Sequence, residues 1–152
     1  VARIATSINK GNTDFEPLEL GNMNAKRDWS HAEDFVRAVW LMLNEEKPKD
    51  YLLASGETHT VKEFVEMAFE NAGIQGFWSG EGTNEEFKFL GEVPTGIVLV
   101  KVNPDFYRPA EVDLLLGDPS EAQKDLHWEK SVDFPSLVRR MTLNDLKEIN
   151  AT

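Results

Sequence analysis

Two short stretches of the sequence place an arginine where it could hold a phosphate group. In the first stretch, Arg27 follows Lys26 in a loop directly before a predicted helix. A guanidinium group can donate two parallel hydrogen bonds to a diphosphate, and the positive end of the following helix dipole would strengthen the attraction. The alternative is that Arg27 and Asp28 are only partners that stabilise the fold, and spacing alone does not separate the two interpretations.

The second stretch combines an arginine with a carboxylate. Arg108 is stiffened by Pro109, and Glu111 follows three residues after the arginine. The arginine could hold a phosphate while the carboxylate accepts hydrogen bonds from both hydroxyls of a ribose. The alternative is a surface salt bridge between Arg108 and Glu111, which the spacing by itself favours.

The sequence lacks the usual patterns for dinucleotide binding, proton transfer by a tyrosine and metal binding. The glycines of residues 73–82 follow a predicted helix at irregular intervals, so they indicate a flexible loop and not a dinucleotide-binding turn. Neither Tyr51 nor Tyr107 has a lysine four residues later, the pair that would lower the pKa of a phenol for proton transfer. The three histidines are widely separated, which favours structural roles and predicts no metal site.

Length and charge narrow the class of protein further. The 152 residues, of which 41% are hydrophobic and 28% charged, are typical of one globular domain. The net charge of -11 argues against nucleic acid or an anionic membrane as a partner. No apolar run approaches the roughly 20 residues of a membrane helix. Because the chain starts at Val1 without an initiator Met or a signal pattern, we expect a fragment.

The N-terminal third contains the elements that must position Arg27. Residues 1–10 have helical spacing that ends at Gly11, and residues 18–20 could form an edge strand. After Ser30 an amphipathic helix is predicted. Its apolar stripe consists of Phe35, Val36, Val39, Trp40 and Leu43.

The middle of the chain predicts a strand followed by a helix. Residues 51–55 are apolar on both faces and stop at Gly56, as expected of a buried parallel strand, although no similar strand lies nearby. Thr60 and Glu63 match a capping box that opens a helix running to Gly73.

The C-terminal half is expected to contain more irregular structure. Residues 76–94 predict a surface loop with a short strand at residues 77–78. Residues 97–102 form a β-branched run typical of a strand. Asp118 and Asp133 each precede a predicted helix as capping residues.

Several motifs together resemble one enzyme family. Residues 20–43 contain Leu-Gly-Asn, Lys-Arg-Asp-Trp, Ser-His-Ala and Val-Trp-Leu-Met-Leu, and residues 107–112 read Tyr-Arg-Pro-Ala-Glu-Val. Leu-Gly-Asp-Pro and Leu-His-Trp follow later. This combination resembles the GDP-mannose 4,6-dehydratases of the extended short-chain dehydrogenase/reductases over nearly the whole chain, most weakly over residues 76–94. Ser30 and Asn24 depart from the family's usual Gly and Asp.

The resemblance implies an α/β fold, mostly helical with short strands, that forms the C-terminal substrate-binding part of such an enzyme. Residues 1–152 would be the nucleotide-sugar-binding portion, with the Rossmann core largely missing and residues 28–57 packing on it. The implied substrate is GDP-mannose or a related GDP-sugar. The implied reaction is the NADP-dependent lyase step to GDP-4-keto-6-deoxymannose in GDP-fucose biosynthesis, carried out by a cytoplasmic homo-oligomer.

The resemblance also assigns roles to individual residues. It places Arg27 at the diphosphate, Arg108 and Glu111 at the diphosphate and ribose, Leu20 and Gly21 beside the base, and Arg3 near the substrate. The family's catalytic residues and most of its NADP site would precede Val1, so no catalytic residue is expected here and the fragment alone should be inactive. Two alternatives stay open, a non-catalytic nucleotide-sugar-binding or interaction module and a sibling GDP-sugar epimerase or reductase.

Overall fold

A computed structural model describes residues 1–92, 96–107 and 114–151. These residues form helices α1 (Ala2–Asn9), α2 (Ala32–Leu43), α3 (Val61–Asn71), α4 (Ser120–Leu126) and α5 (Phe134–Ala151). The strands are β1 (Leu18–Leu20), β2 (Lys26–Arg27), β3 (His59–Thr60), β4 (Gly76–Ser79), β5 (Glu86–Phe89) and β6 (Val98–Val102). The predicted mixed α/β fold with helices and short strands is confirmed.

Four of the strands form one sheet in the order β1-β6-β5-β4. The β1 strand runs parallel to β6, with Leu20 opposite Val102, while the other neighbours are antiparallel. Because parallel strands end at the same edge of a sheet, the loops that follow β1 and β6 emerge side by side. This places residues after Leu20 next to residues after Val102.

The main core lies between this sheet and helices α1 and α3. Its buried side chains include Ile4, Ala5, Met23, Val65, Phe69, Leu99, Val100 and Val102. A long C-terminal helix, α5, packs against α1 and α3 and adds a second cluster around Phe134 and Val138. Burying a side chain of this size stabilises the fold by about 1.5 to 3 kcal/mol, so the core is held together mainly by apolar contact.

Three predicted helix boundaries are confirmed, whereas α4 begins at Ser120 with Pro119, and not the predicted Asp118, as its capping residue. The α1 helix ends before Gly11, whose φ of 72° is the left-handed conformation that glycine tolerates. The Thr60 hydroxyl accepts from the Glu63 N–H while the Glu63 carboxylate accepts from the Thr60 N–H, which completes the capping box of α3. At α5, the Asp133 carboxylate accepts from the Ser136 N–H.

The α2 helix has the predicted extent but not the orientation that its pattern suggested. Val36, Trp40 and Leu43 are 69%, 63% and 79% exposed. Asp34, a charged residue outside the apolar stripe, is buried. His31 caps the helix, because its ring accepts from the Glu33 N–H. The apolar stripe of α2 therefore faces outward, and the opposite face packs against α4.

Two segments in the middle of the chain differ in part from their predictions. Residues 51–55 form no strand because none of the described segments pairs with them, and their side chains pack beside α4 instead. The predicted short strand at residues 77–78 is present within β4, but it also pairs with β5 in a β-hairpin, where Trp78 packs at a tilt on the buried Phe87; residues 93–94 lie outside the described part. Cross-strand aromatic packing, which a single-strand periodicity does not reveal, stabilises this hairpin. None of the described helices is long and apolar enough to cross a membrane.

Candidate functional site

Arg27 lies on β2 at the border of a cleft of about 350 Å³. The strand pairs with β3, so that Arg27 is opposite His59, and the guanidinium Nη1 donates to the Lys26 carbonyl at 2.8 Å. The other residues that line the cleft are Asp28, Phe35, Leu52, Leu53, Ala54, Leu115, Leu116 and Gly117. The cleft is therefore mostly apolar, with one arginine and one carboxylate at its border.

The Asp28 carboxylate has a structural role that the sequence left open. Its Oδ1 accepts from the Ser55 N–H at 2.8 Å and its Oδ2 accepts from the Gly56 N–H at 3.0 Å. These bonds join β2 to the end of the 51–56 segment. Asp28 thus stabilises the local fold through the backbone, while Arg27 faces the cleft.

Leu20 and Gly21 lie where β1 ends, in contact with the turn that follows β6. The Leu20 carbonyl accepts from the Asn103 N–H at 2.8 Å. A methyl group added to Gly21 would lie 2.5 Å from the carbonyl oxygen of Phe106, so only a glycine fits at this approach. The β1 loop and the Pro104–Phe106 turn are therefore packed together.

Arg108 and Glu111 lie outside the described residues, but both flanks of their segment are described. On one side, the Tyr107 N–H donates to the Pro104 carbonyl, and the Tyr107 side chain packs on the main core. On the other side, Leu114 forms a parallel bridge to Lys26. The two flanks are thus attached beside the Leu20 loop and beside Arg27, respectively.

Arg3 does not line the same cleft as Arg27. It is exposed on α1 and borders a separate cleft of about 520 Å³, together with Leu18 and Glu19 of β1 and Asp145 of α5. The structure therefore brings Leu20 and Gly21 close to the residues before Arg108, and Arg27 close to Leu115, while Arg3 stands apart.

A polar cluster at the end of β1 was missed by the sequence analysis. The Glu19 carboxylate accepts from the Lys101 ammonium at 2.9 Å and from the Asn103 amide at 2.7 Å. The hydrogen bonds from Lys101 and Asn103 hold the pKa of Glu19 below its usual range, and the Glu19 carboxylate raises the pKa of Lys101. Glu19 lies directly opposite Lys101 in the sheet, so only the register of β1 on β6 reveals the cluster.

Among the described residues, the glycines of residues 73–82 lie in no Rossmann-type dinucleotide site. Such a site needs a glycine turn between a strand and a helix N-terminus. Here Gly73 follows the end of α3 with a φ of 76°, Gly76 opens β4, and Gly80 and Gly82 lie in the turn of the hairpin. In the ranges that the structure describes, none of these glycines precedes a helix of the required kind.

Solved structures with the same fold define the class of protein. The structure of RMD from Pseudomonas aeruginosa complexed with NADPH matches with a TM-score of 0.70 over 97% of this chain and 41% of that chain, at 16% identity. A UDP-glucose-4-epimerase from Stenotrophomonas maltophila with bound NAD matches with a TM-score of 0.65 over 99% of this chain and 39% of that chain, at 15% identity. The fold is that of the C-terminal part of an extended short-chain dehydrogenase/reductase.

Sequence comparison identifies the family within this class. The family model described as GDP-mannose 4,6 dehydratase matches residues 1–141, and the chain belongs to this family. A GDP-mannose 4,6 dehydratase of Dictyostelium discoideum is 50% identical over 134 residues, which cover 88% of this chain and 37% of the relative. One from Sinorhizobium fredii is 41% identical over 152 residues, all of this chain and 42% of the relative. The chain thus spans about two fifths of the length of these relatives.

Proposed function

We propose that this chain provides the GDP-sugar site of a GDP-mannose 4,6-dehydratase, with GDP-mannose or a related GDP-sugar as its ligand. One observation carries the proposal. The residues that flank the segment with Arg108 and Glu111 are attached beside the other candidate residues, on one side through the Phe106 contact with Gly21 and on the other through the bridge between Leu114 and Lys26.

Each candidate residue has a distinct role in this proposal. Arg27 and Arg108 bind the diphosphate, because a guanidinium group offers two parallel donors to phosphate oxygens. The Glu111 carboxylate accepts from the ribose hydroxyls. The Leu20–Gly21 loop contacts the base, and Arg3 contacts the substrate from its separate cleft.

Residues 28–57 form the contact with a cofactor-binding domain in our proposal. Val36, Val39, Trp40, Leu43 and Leu52 are all exposed in this range. A contiguous apolar surface of this kind is unusual on a free domain and is typical of a buried interface. The outward face of α2 and the apolar lining of the Arg27 cleft would both be covered by the remaining part of a longer protein, as the relatives' greater length suggests.

In that longer protein, NADP would supply the hydride chemistry and be held mainly outside this chain, because the described residues lack a dinucleotide turn. The chain alone would bind substrate without turning it over. The protein would act as a homo-oligomer in the cytoplasm, in the formation of GDP-fucose.

Calorimetric titration tests the binding proposal. GDP-mannose, GDP and UDP-glucose are titrated separately into the purified chain. We expect GDP and GDP-mannose to bind with similar affinity, because the proposed contacts reach the diphosphate, ribose and base. UDP-glucose should bind more weakly because its smaller base makes fewer contacts with the Leu20–Gly21 loop. Absence of heat with both guanine nucleotides would contradict the proposal.

A further inference from the structure

We propose that Asn103, held by Glu19, is a positioning residue that places the Leu20–Gly21 loop of the GDP-sugar site. The inference rests on the proposed function. It concerns two side chains at the ends of β1 and β6 for which no binding contact is proposed. Their effect would reach the ligand through the Leu20–Gly21 loop, which contacts both Asn103 and Phe106.

Among the described residues Asn103 makes four hydrogen bonds, and in one of them its backbone carbonyl accepts from the Phe106 N–H at 3.0 Å. Its amide nitrogen donates to the Glu19 carboxylate at 2.7 Å, and its amide oxygen accepts from the Asp105 N–H at 2.9 Å. Its backbone N–H donates to the Leu20 carbonyl at 2.8 Å. One residue therefore connects the sheet, the β1 loop and the turn that follows β6.

Glu19 fixes the orientation of the Asn103 amide. A carboxylate only accepts hydrogen bonds, so the NH₂ group of Asn103 must point toward Glu19 and its oxygen must point toward the Asp105 N–H. The Lys101 ammonium, 2.9 Å from the other carboxylate oxygen, keeps Glu19 ionised. Because charge-assisted hydrogen bonds are stronger than neutral ones, this orientation is well defined.

The oriented amide in turn fixes the Pro104–Phe106 turn. Asn103 caps the turn through Asp105, and the Tyr107 N–H closes it by donating to the Pro104 carbonyl at 3.1 Å. The Phe106 carbonyl lies directly against Gly21, so a shift of the turn would also displace the Leu20–Gly21 loop.

A structural role and a positioning role of Asn103 lead to different expected effects of a substitution on GDP-mannose affinity. If Asn103 only stabilised the fold, a substitution would lower the free energy of unfolding but leave the affinity of the folded protein unchanged. The apparent dissociation constant changes by less than about 1% while more than about 99% of the protein remains folded. A loss of affinity in a fully folded variant therefore reports positioning.

The experiment exchanges the donor and the acceptor of this pair. Asn103→Asp retains the cap on Asp105 but places a second carboxylate against Glu19, and the repulsion should shift the turn. Glu19→Gln combined with Asn103→Asp restores a donor opposite an acceptor, because glutamine carries the NH₂ group. GDP-mannose is titrated calorimetrically into the full chain of each variant, and urea unfolding verifies that each is folded.

The control is Asn12→Asp. Asn12 is exposed, and its side-chain oxygen accepts from the Asp14 N–H at 2.9 Å, the same local cap that Asn103 makes on Asp105. No hydrogen bond to a carboxylate is described for the Asn12 side chain, so Asn12→Asp keeps the cap on Asp14 and adds one negative charge. Its affinity for GDP-mannose should equal that of the wild type.

We expect Asn103→Asp to weaken GDP-mannose binding by about tenfold, the loss of roughly one charge-assisted hydrogen bond, and the double variant to return within about threefold of the wild type. Wild-type affinity in the Asn103→Asp variant, or no recovery in the double variant, would overturn the inference. If Arg27→Ala weakens binding while Asn103→Asp does not, only this inference fails. If the wild type binds no guanine nucleotide, the proposed function fails and the inference fails with it.

Discussion

Asp28 accepts a hydrogen bond of 2.8 Å from the backbone N–H of Ser55, 27 residues further along the chain. Its second carboxylate oxygen accepts from the next N–H, at Gly56. The residue directly after the candidate phosphate-binding Arg27 thus attaches β2 to the 51–56 segment. Arg27 is thus held in place by its neighbour in sequence.

Replacing Asp28 by alanine should therefore destabilise the protein. The Asp28→Ala variant leaves two backbone donors without their carboxylate, and we expect the free energy of unfolding in urea to fall by about 2 kcal/mol. Asp50→Ala removes an exposed carboxylate at the start of the same segment and serves as the control. Equal stability of the two variants would show that the hydrogen bonds of Asp28 contribute nothing to the free energy of unfolding.

Gly21 should tolerate no side chain. In Gly21→Ala the new methyl group would lie 2.5 Å from the Phe106 carbonyl oxygen, and the displacement of the turn should cost about 1 to 3 kcal/mol of stability. Calorimetry on the same variant should show weaker binding of GDP-mannose. Asn24→Ala alters an exposed residue of the same loop and should change neither quantity. A Gly21→Ala variant with wild-type stability would contradict the close approach.

The buried Asp34 predicts a loss of stability in acid. Burial alone would raise the pKa of Asp34, but hydrogen bonds from the Ser131 hydroxyl and N–H and the Val132 N–H hold it below its usual range. A carboxylate with a lowered pKa in the folded state stabilises the fold above its unfolded pKa of about 3.9, and that contribution is lost as the pH falls through the folded value.

Asp34→Asn isolates this effect. The variant should be less stable than the wild type at pH 7, by about 2 kcal/mol, because an amide cannot replace both carboxylate oxygens as acceptors. The difference should shrink as the pH falls below about 4, where the wild-type carboxyl also becomes protonated. Urea unfolding of both proteins from pH 7 to pH 2.5 measures it. A difference that does not change over this range would exclude Asp34 as the titrating group.

The outward face of α2 should promote association of the isolated chain. Trp40→Lys introduces a charge on that face, where the native side chain is 63% exposed, and should lower self-association in analytical ultracentrifugation with little change in stability, within about 0.5 kcal/mol. If the face is covered by another domain in a longer protein, the same substitution there should destabilise the domain contact. A monomeric wild-type chain that binds no hydrophobic dye would count against an uncovered interface.

The sequence predicted the fold best where the signal was local. The capping box of Thr60, the left-handed Gly11 and the Asp133 cap each depend on side chains within three residues of one another, and each was correct. Residues 51–55 form no strand among the described residues, and β5 was missed beside the correctly predicted strand at residues 77–78, because strands depend on a partner. Apolar composition predicted a strand where no partner is described, and mixed composition concealed one where Trp78 and Phe87 pair across the hairpin.

The candidate site was only partly predictable for the same reason. Arg27, Leu20 and Gly21 stand in recognisable motifs, and the structure places the latter two against the turn before Arg108. The contribution of Glu19 depends on its position opposite Lys101, which follows from the parallel pairing of β1 with β6 and not from any motif. The outward orientation of α2 could not be predicted either. An apolar stripe indicates that one face of a helix is buried, but not which part of the protein covers it.

In our proposal, Arg27 belongs to a GDP-sugar site. Calorimetric titration of GDP-mannose into the wild type, Arg27→Ala and the control Arg139→Ala tests it most directly, since both variants lose one positive charge and Arg139 is exposed on α5. We predict that Arg27→Ala weakens binding by about tenfold or more, the loss of a charge-assisted contact worth roughly 1.5 to 3 kcal/mol, while Arg139→Ala binds as the wild type does. Equal affinities of all three proteins for GDP-mannose would contradict the account.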